Sequence, residues 1–154
     1  MTSLLLIPAL MGIAGMLING WHSDRSAERH WHSAVPLLAA GLMFGLLTVF
    51  RHEVPLAIAC LLLGSGFLYA YYPAFWAIPT MLLSEAAAAA TFGLINSIGQ
   101  LGGFAGNYAI GFLNDRTHSL AASFAFIALV YIAAGGLILS LRVRNPIGVS
   151  QRSN

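Results

Sequence analysis

The run GLINSIGQLGGFAGNY, residues 93–108, decides how this chain must be read. It sits in a long apolar stretch, yet it carries Asn96, Gln100 and Asn107 among five glycines. No charged residue occurs between Glu85 and Asp115. On a helix turning about 100° per residue, Asn96, Gln100, Gly103 and Asn107 share one side, with Gly99 beside them. Leu94, Ile98, Leu101 and Ala105 fall on the opposite side. The greasy side suits lipid. The amide side needs protein or a water-filled cavity, because bare amides in hydrocarbon are costly.

Composition outside this run agrees with a lipid setting. Of 154 residues, 58% are apolar and only 8% charged, where soluble chains carry about 25% charged. The mean hydropathy is +0.80. The few charges cluster and leave long uncharged gaps, and about 20 apolar residues span a hydrocarbon core. The pI near 9.0 does not point to nucleic acid. All seven basic residues are arginines scattered over short connections and the C-terminus, so no basic face is available for a phosphate backbone. The lone Cys60 lies in an apolar run and is expected to pack as a small apolar residue.

The gaps predict an all-α transmembrane protein with about five membrane-spanning helices, at residues 3–20, 34–50, 54–83, 86–113 and 119–141. A polar loop, HSDRSAERHWH, is expected after the first. The third run is too long for one upright crossing. Pro73 and Pro79 lie in its second half, so a kink near Tyr72 and a short helical end are expected. Ser84 is positioned to cap the helix that follows. Residues 142–154 form a polar tail.

Five crossings put the two ends of the chain on opposite sides. One side receives Arg25, Arg29, Arg142, Arg144 and Arg152, and the other Arg51 and Arg116. The richer side should be cytoplasmic. The N-terminus is then outside and the C-terminus inside.

Two roles compete for the fourth segment. Gly99-x-x-x-Gly103 and Gly102-x-x-x-Gly106 have the spacing that lets helices pack closely, with amides hydrogen-bonding across the contact. Alternatively the amide face, through Asn96 and Gln100, lines a translocation path. The third segment adds Tyr69, Tyr72 and Trp76, spaced three and four apart on one helix face. Aromatic groups with polar tips line organic-substrate cavities, and they also form interfacial belts.

Enzyme readings fare poorly. His22, His30, His32, His52 and His118 lie in loops or at segment edges. His30-x-His32 offers two ligands where a zinc site needs three or four. Gly64-Ser65-Gly66 has no intrahelical histidine to act as base. No metal, cofactor or nucleic acid is expected.

Two stretches carry a family resemblance. Gly20-Trp-His-Ser-Asp24-Arg25-Ser-Ala-Glu-Arg29 resembles the G-x-x-x-D-R-x-G-R-R loop of the major facilitator superfamily, with Ala27 for the usual glycine and Glu28 for a basic residue. FWAIPTMLLSEAAAAATFGLINSIGQLGGFAGNYAIGFLNDRT resembles the tenth and eleventh helices of the anion:cation symporter branch, which includes permeases for tartrate, phthalate and sugar acids. That branch often reads N-S-I-G-N-L-G-G-F-x-G-P-Y. Here Gln100 replaces the second Asn and keeps an amide, while Asn107 replaces the Pro and removes a kink.

The resemblance covers essentially the whole chain, aligned to helices eight to twelve of a twelve-helix fold. It implies a bacterial inner-membrane importer of a small organic anion, coupled to a cation such as the proton, working by alternating access. By the resemblance, the Trp76 region and Asn96 face the central cavity; Tyr69, Tyr72 and Gln100 join them by helix geometry. Gly20, Asp24 and Arg25 would belong to a cytoplasmic gate, and Arg29 is expected as a solvated topology marker. Counterparts of helices one to seven, where the coupling carboxylates lie, would be the chain's partner. The alternative is a non-enzymatic half-size membrane subunit or scaffold that pairs through its glycine-rich helix.

Overall fold

The structure, a computed structural model, describes residues 2–141, with side chains from residue 6 on. The expected tail at 142–154 lies outside the described residues. Six helices follow one another: α1 (Thr2–Ser26), α2 (His30–Val49), α3 (Val54–Ala70), α4 (Tyr72–Leu82), α5 (Glu85–Thr117) and α6 (Leu120–Ser140). The protein is an all-α transmembrane fold. Among the described residues, His30–Val49, the joined α3–α4 rod Val54–Leu82, and Leu120–Ser140 are long and apolar enough to cross a membrane by length and composition. The amide stripe of α5 lowers the mean hydropathy of that helix.

The third predicted run breaks at Tyr71. Pro73 has no N–H to donate and its ring crowds the carbonyl four residues back. The helix restarts when Phe75 N–H bonds Tyr71 O at 3.0 Å. Tyr71 keeps helical angles (φ −70°, ψ −25°), so the rod is kinked rather than severed. Ser84 does sit at the N-cap of α5, but its side chain makes no capping bond; its carbonyl accepts from Ala88 N–H at 2.8 Å.

The expected polar loop after the first span is mostly helix. α1 runs through the motif to Ser26 and α2 begins at His30, which leaves three residues to reverse the chain. So tight a turn needs one residue in the left-handed region, and Ala27 takes it with φ 51°. Glycine pays no Cβ penalty there, which gives a physical reason for the glycine the motif usually carries.

Close packing uses small residues. α1 and α3 run parallel, and a Cβ added to Gly15 would collide with the carbonyl oxygen of Gly66, while one on Gly12 would lie 2.7 Å from Tyr69 Cδ2. Added at Gly20, it would meet Pro73 Cβ at 3.2 Å. α2 and α6 run antiparallel. There, a Cβ on Gly41 would lie 3.0 Å from Ala128 O, and one on Gly135 3.1 Å from Ala34 O. Without glycine at these points the backbones could not approach, and dispersion between close helices is what holds a bundle in lipid. Beside these seams Ala40, Phe44, Leu47, Cys60 and Ala128 form the core. The Phe44 and Phe124 rings stack there at 6.5 Å. Cys60 is buried in that cluster, as its sequence context suggested.

Candidate functional site

The α1–α2 turn is ordered by side chains that sequence reading only partly assigned. Arg29, expected as a solvated marker, is half-buried and bonds Asp24 Oδ1 through its NH1 at 2.6 Å; its side chain is 19% exposed against 69% for Asp24. The same NH1 donates to Ser23 Oγ at 3.1 Å, and Ser23, fully buried, donates to Glu28 O at 2.7 Å. The ion pair of the motif therefore joins Asp24 to Arg29. Arg25 instead lies over the Trp21 ring at 5.2 Å. The third of the gate residues, Gly20, is buried against Pro73.

Glu28, the departure from the motif, caps α2. Its carboxylate accepts from Trp31 N–H at 3.0 Å and from His32 N–H at 3.3 Å. An anion is favoured at a helix N-terminus, where backbone N–H groups lack partners. Partial burial pushes its carboxyl up, but the bonds from Trp31 and His32 outweigh that and hold it below the ordinary glutamate value. His32 Nδ1 also bonds Glu28 Oε2 at 3.0 Å, and its Nε2 meets His22 Nδ1 at 2.6 Å. Two imidazole nitrogens at that distance share one proton, because a donor needs a lone pair opposite. At the far side of this end, His30 Nε2–H donates to Ile138 O at 2.6 Å. The α1–α2 turn and the end of α6 thus lie together.

Asn19 escaped the sequence reading. Its amide nitrogen donates to His32 O at 2.8 Å and to Ala70 O at 2.7 Å, tying α1 to α2 and to the end of α3. The signal was present, since it is an amide in an otherwise apolar run.

The predicted cavity residues fall into two groups. Tyr69 and Tyr72 stack at 6.0 Å, and Tyr72 continues to Tyr71 at 4.5 Å. Phe75 and Trp76 extend this aromatic line to Phe92 of α5, with Trp76 and Phe92 edge to face at 5.4 Å. Asn96 lies one helical turn beyond Phe92, and Gln100 one turn further.

Both amides are exposed, as is Asn107. The side of α5 that meets the rest of the chain runs through half-buried Phe92, Ile95, Ile110 and Leu113. The amide face and the greasy face both lie off that line. Leu94 and Leu101, on the greasy side, are 63% and 71% exposed. The four candidate packing glycines meet nothing among the described residues: a Cβ on Gly99, Gly102, Gly103 or Gly106 would find no atom within 4 Å. The close packing of this chain belongs to Gly12, Gly15, Gly41, Gly66 and Gly135 instead. Among the described residues no cluster of three or more His, Cys, Asp or Glu could hold a metal ion.

Known relatives make sense of a helix left so bare. A protein of Agrobacterium vitis named as a tartrate transporter is 38% identical over 151 residues, covering 96% of this chain and 32% of its own length. A quinolone resistance transporter of Acinetobacter baumannii is 35% identical over 134 residues, 87% of this chain and 30% of its own. The inner membrane transport protein RhmT of Escherichia coli is 32% identical over 141 residues, 92% of this chain and 32% of its own. No family profile and no solved structure matches the chain.

These relatives are all named as transport proteins. The chain belongs to the major facilitator superfamily, and it spans about a third of the length of the curated relatives it matches.

Proposed function

We propose that these residues form helices eight to twelve of a secondary transporter of the anion:cation symporter branch, which imports a small organic anion by cation-coupled alternating access. The observation that carries the reading is the bare amide stripe of α5. A helix with Asn96, Gln100 and Asn107 on one exposed face cannot rest that face against lipid. In the relatives about two thirds of the chain is additional to the part matched here, which is enough to cover such a face. Asn96 and Gln100 then bind polar groups of the substrate, with Tyr69, Tyr72 and Trp76 as the neighbouring aromatic wall. Gly99, Gly102, Gly103 and Gly106 let helices of the first half approach. Gly20, Asp24 and Arg25 belong to the cytoplasmic gate, together with Arg29 as the ion-pair partner of Asp24. The N-terminus of this part faces outward and residue 141 the cytoplasm, across a bacterial inner membrane. The role is transport rather than catalysis.

Uptake of labelled tartrate and of other small carboxylates in cells carrying the full native gene product tests the reading. Asn96→Ala and Gln100→Ala should each lower uptake at least about tenfold at equal membrane abundance, as when one amide contact to a charged substrate is lost. Unchanged uptake in both variants would sink the cavity assignment. Loss of the protein's assembly with unchanged uptake per assembled molecule would favour a scaffold pairing through α5.

A further inference from the structure

A cavity lies away from the amide stripe. It is a groove of about 540 Å³ between α1 and α2, floored by α3, within the size range of small-molecule sites. None of Tyr69, Tyr72, Trp76, Asn96 and Gln100 lines it. Its wall is apolar along Met11, Ile18, Val35, Leu63 and Phe67, and polar only at one end, at Asn19, His22 and His32.

Three observations describe what would fill it. The first is length. From Met11 to His22 a helix rises about 16 Å, close to half of a hydrocarbon core about 30 Å thick. The groove runs the depth of one leaflet. The second is the rim. Trp21 and Trp31 both line the groove at its polar end and are 61% and 57% exposed. Tryptophans in such a position mark the headgroup level.

The third is charge. Asp24 is taken by Arg29, and among the described residues Arg25 has no carboxylate partner. Its guanidinium stands over Trp21 at the groove's mouth. Beside it, His22 Nδ1 meets His32 Nε2 at 2.6 Å and His32 Nδ1 meets Glu28 Oε2 at 3.0 Å. With one proton between the rings, one on His32 Nδ1 facing Glu28 and a third on His22 Nε2, so that the pair carries one positive charge, His22 presents a free donor.

We infer that this groove binds one anionic phospholipid, with an acyl chain laid along Ile18, Leu63 and Phe67 and the phosphate held by Arg25 and His22. A small dicarboxylate has no use for a 16 Å apolar wall, whereas a lipid tail does. The inference needs only that the chain lies in a membrane, so it stands or falls separately from transport.

Native mass spectrometry of the full gene product, released from vesicles of equal phosphatidylglycerol and phosphatidylcholine, tests it. The wild-type protein should retain one phosphatidylglycerol in preference to phosphatidylcholine. Arg25→Gln, at an exposed position, should lower that preference about fivefold, the share of one basic side chain near an anionic surface. Ala14→Phe, which fills the groove, should remove the retained lipid with the melting temperature kept. Equal retention of the two lipids by the wild type, or undiminished retention in Ala14→Phe, would overturn the inference. So would efficient cross-linking of a cysteine placed at Ala14 to another helix of the same protein, since the groove would then be filled by protein.

Discussion

Two glycine-bearing regions of this molecule look alike in sequence and behave oppositely in structure. In α1, α2, α3 and α6 glycines sit where backbones touch, and an added Cβ at Gly15 or Gly41 runs into a neighbouring carbonyl. In α5 six glycines occur, and none of them meets another part of the described chain. A glycine pattern therefore says that something approaches closely; it does not say what. The first set is satisfied internally. The second waits for a surface that these residues do not supply.

The strongest way to break the comparison is to fill one site of the first set. Gly15→Leu should destabilise the protein by about 3 kcal/mol, the upper range for forcing side-chain volume into a packed seam. A fluorescence-monitored melt in detergent reads it, and an unchanged midpoint would mean that α1 and α3 are not in contact. Asn19→Ala comes next. It removes two hydrogen bonds that join three helices, and a loss of about 2 kcal/mol is expected, near the sum of two ordinary bonds. Hydrogen exchange should show faster opening at both the α1–α2 turn and the end of α3.

Ala27→Gly should stabilise by about 0.5–1 kcal/mol, because the left-handed angle at Ala27 costs an L side chain more than a glycine. A lowered melting temperature would show that the turn has other angles. Gly103→Leu sharpens the contrast directly. With helices of the first half against α5, as proposed, the change should cost well over the roughly 0.5 kcal/mol of ordinary surface positions. A loss as large as that of Gly15→Leu would show the α5 glycines covered by other helices of the same protein.

The smallest effect concerns pH. Glu28 has its folded value depressed, so its contribution is present above the unfolded glutamate value and is lost as pH falls through the lower folded value. Melting of the wild type should weaken below about pH 4.5 more than that of Glu28→Gln. Parallel curves would remove Glu28 from its capping role.

Much of the fold was legible because lipid imposes a simple rule on sequence. Charges must leave the core, so the gaps between them mark the helices, and Pro73 marks the kink near Tyr71. What was not legible is partner choice. Gly99-x-x-x-Gly103 has the spacing of a helix contact and finds none here, while Gly15 and Gly66 lack that spacing and form the tightest one. Periodicity along one helix carries no information about which other helix lies opposite. Arg29, expected as a solvated marker, was misjudged for a related reason. Arg25 and Arg29 are equivalent in composition, but four residues of helix and turn rotate Arg29 towards buried Ser23 and leave Arg25 on the outside of Trp21. Asn19 shows the converse. It was one amide among apolar neighbours, and its weight came only from two carbonyls brought to it by other helices.

The interruption at Tyr71 has a mechanical side. A straight rod passes tilt from one end to the other, while a rod with a joint lets its ends follow different neighbours. Here the lower piece, α3, rides with α1 through Gly15 and Gly66. The upper piece, α4, is fastened to α5 through Trp76 and Phe92. Whatever pushes on α5 reaches α4 first and arrives at Tyr71 as a bend. The Asn19 bond to Ala70 O ties the last residue before that joint to α1.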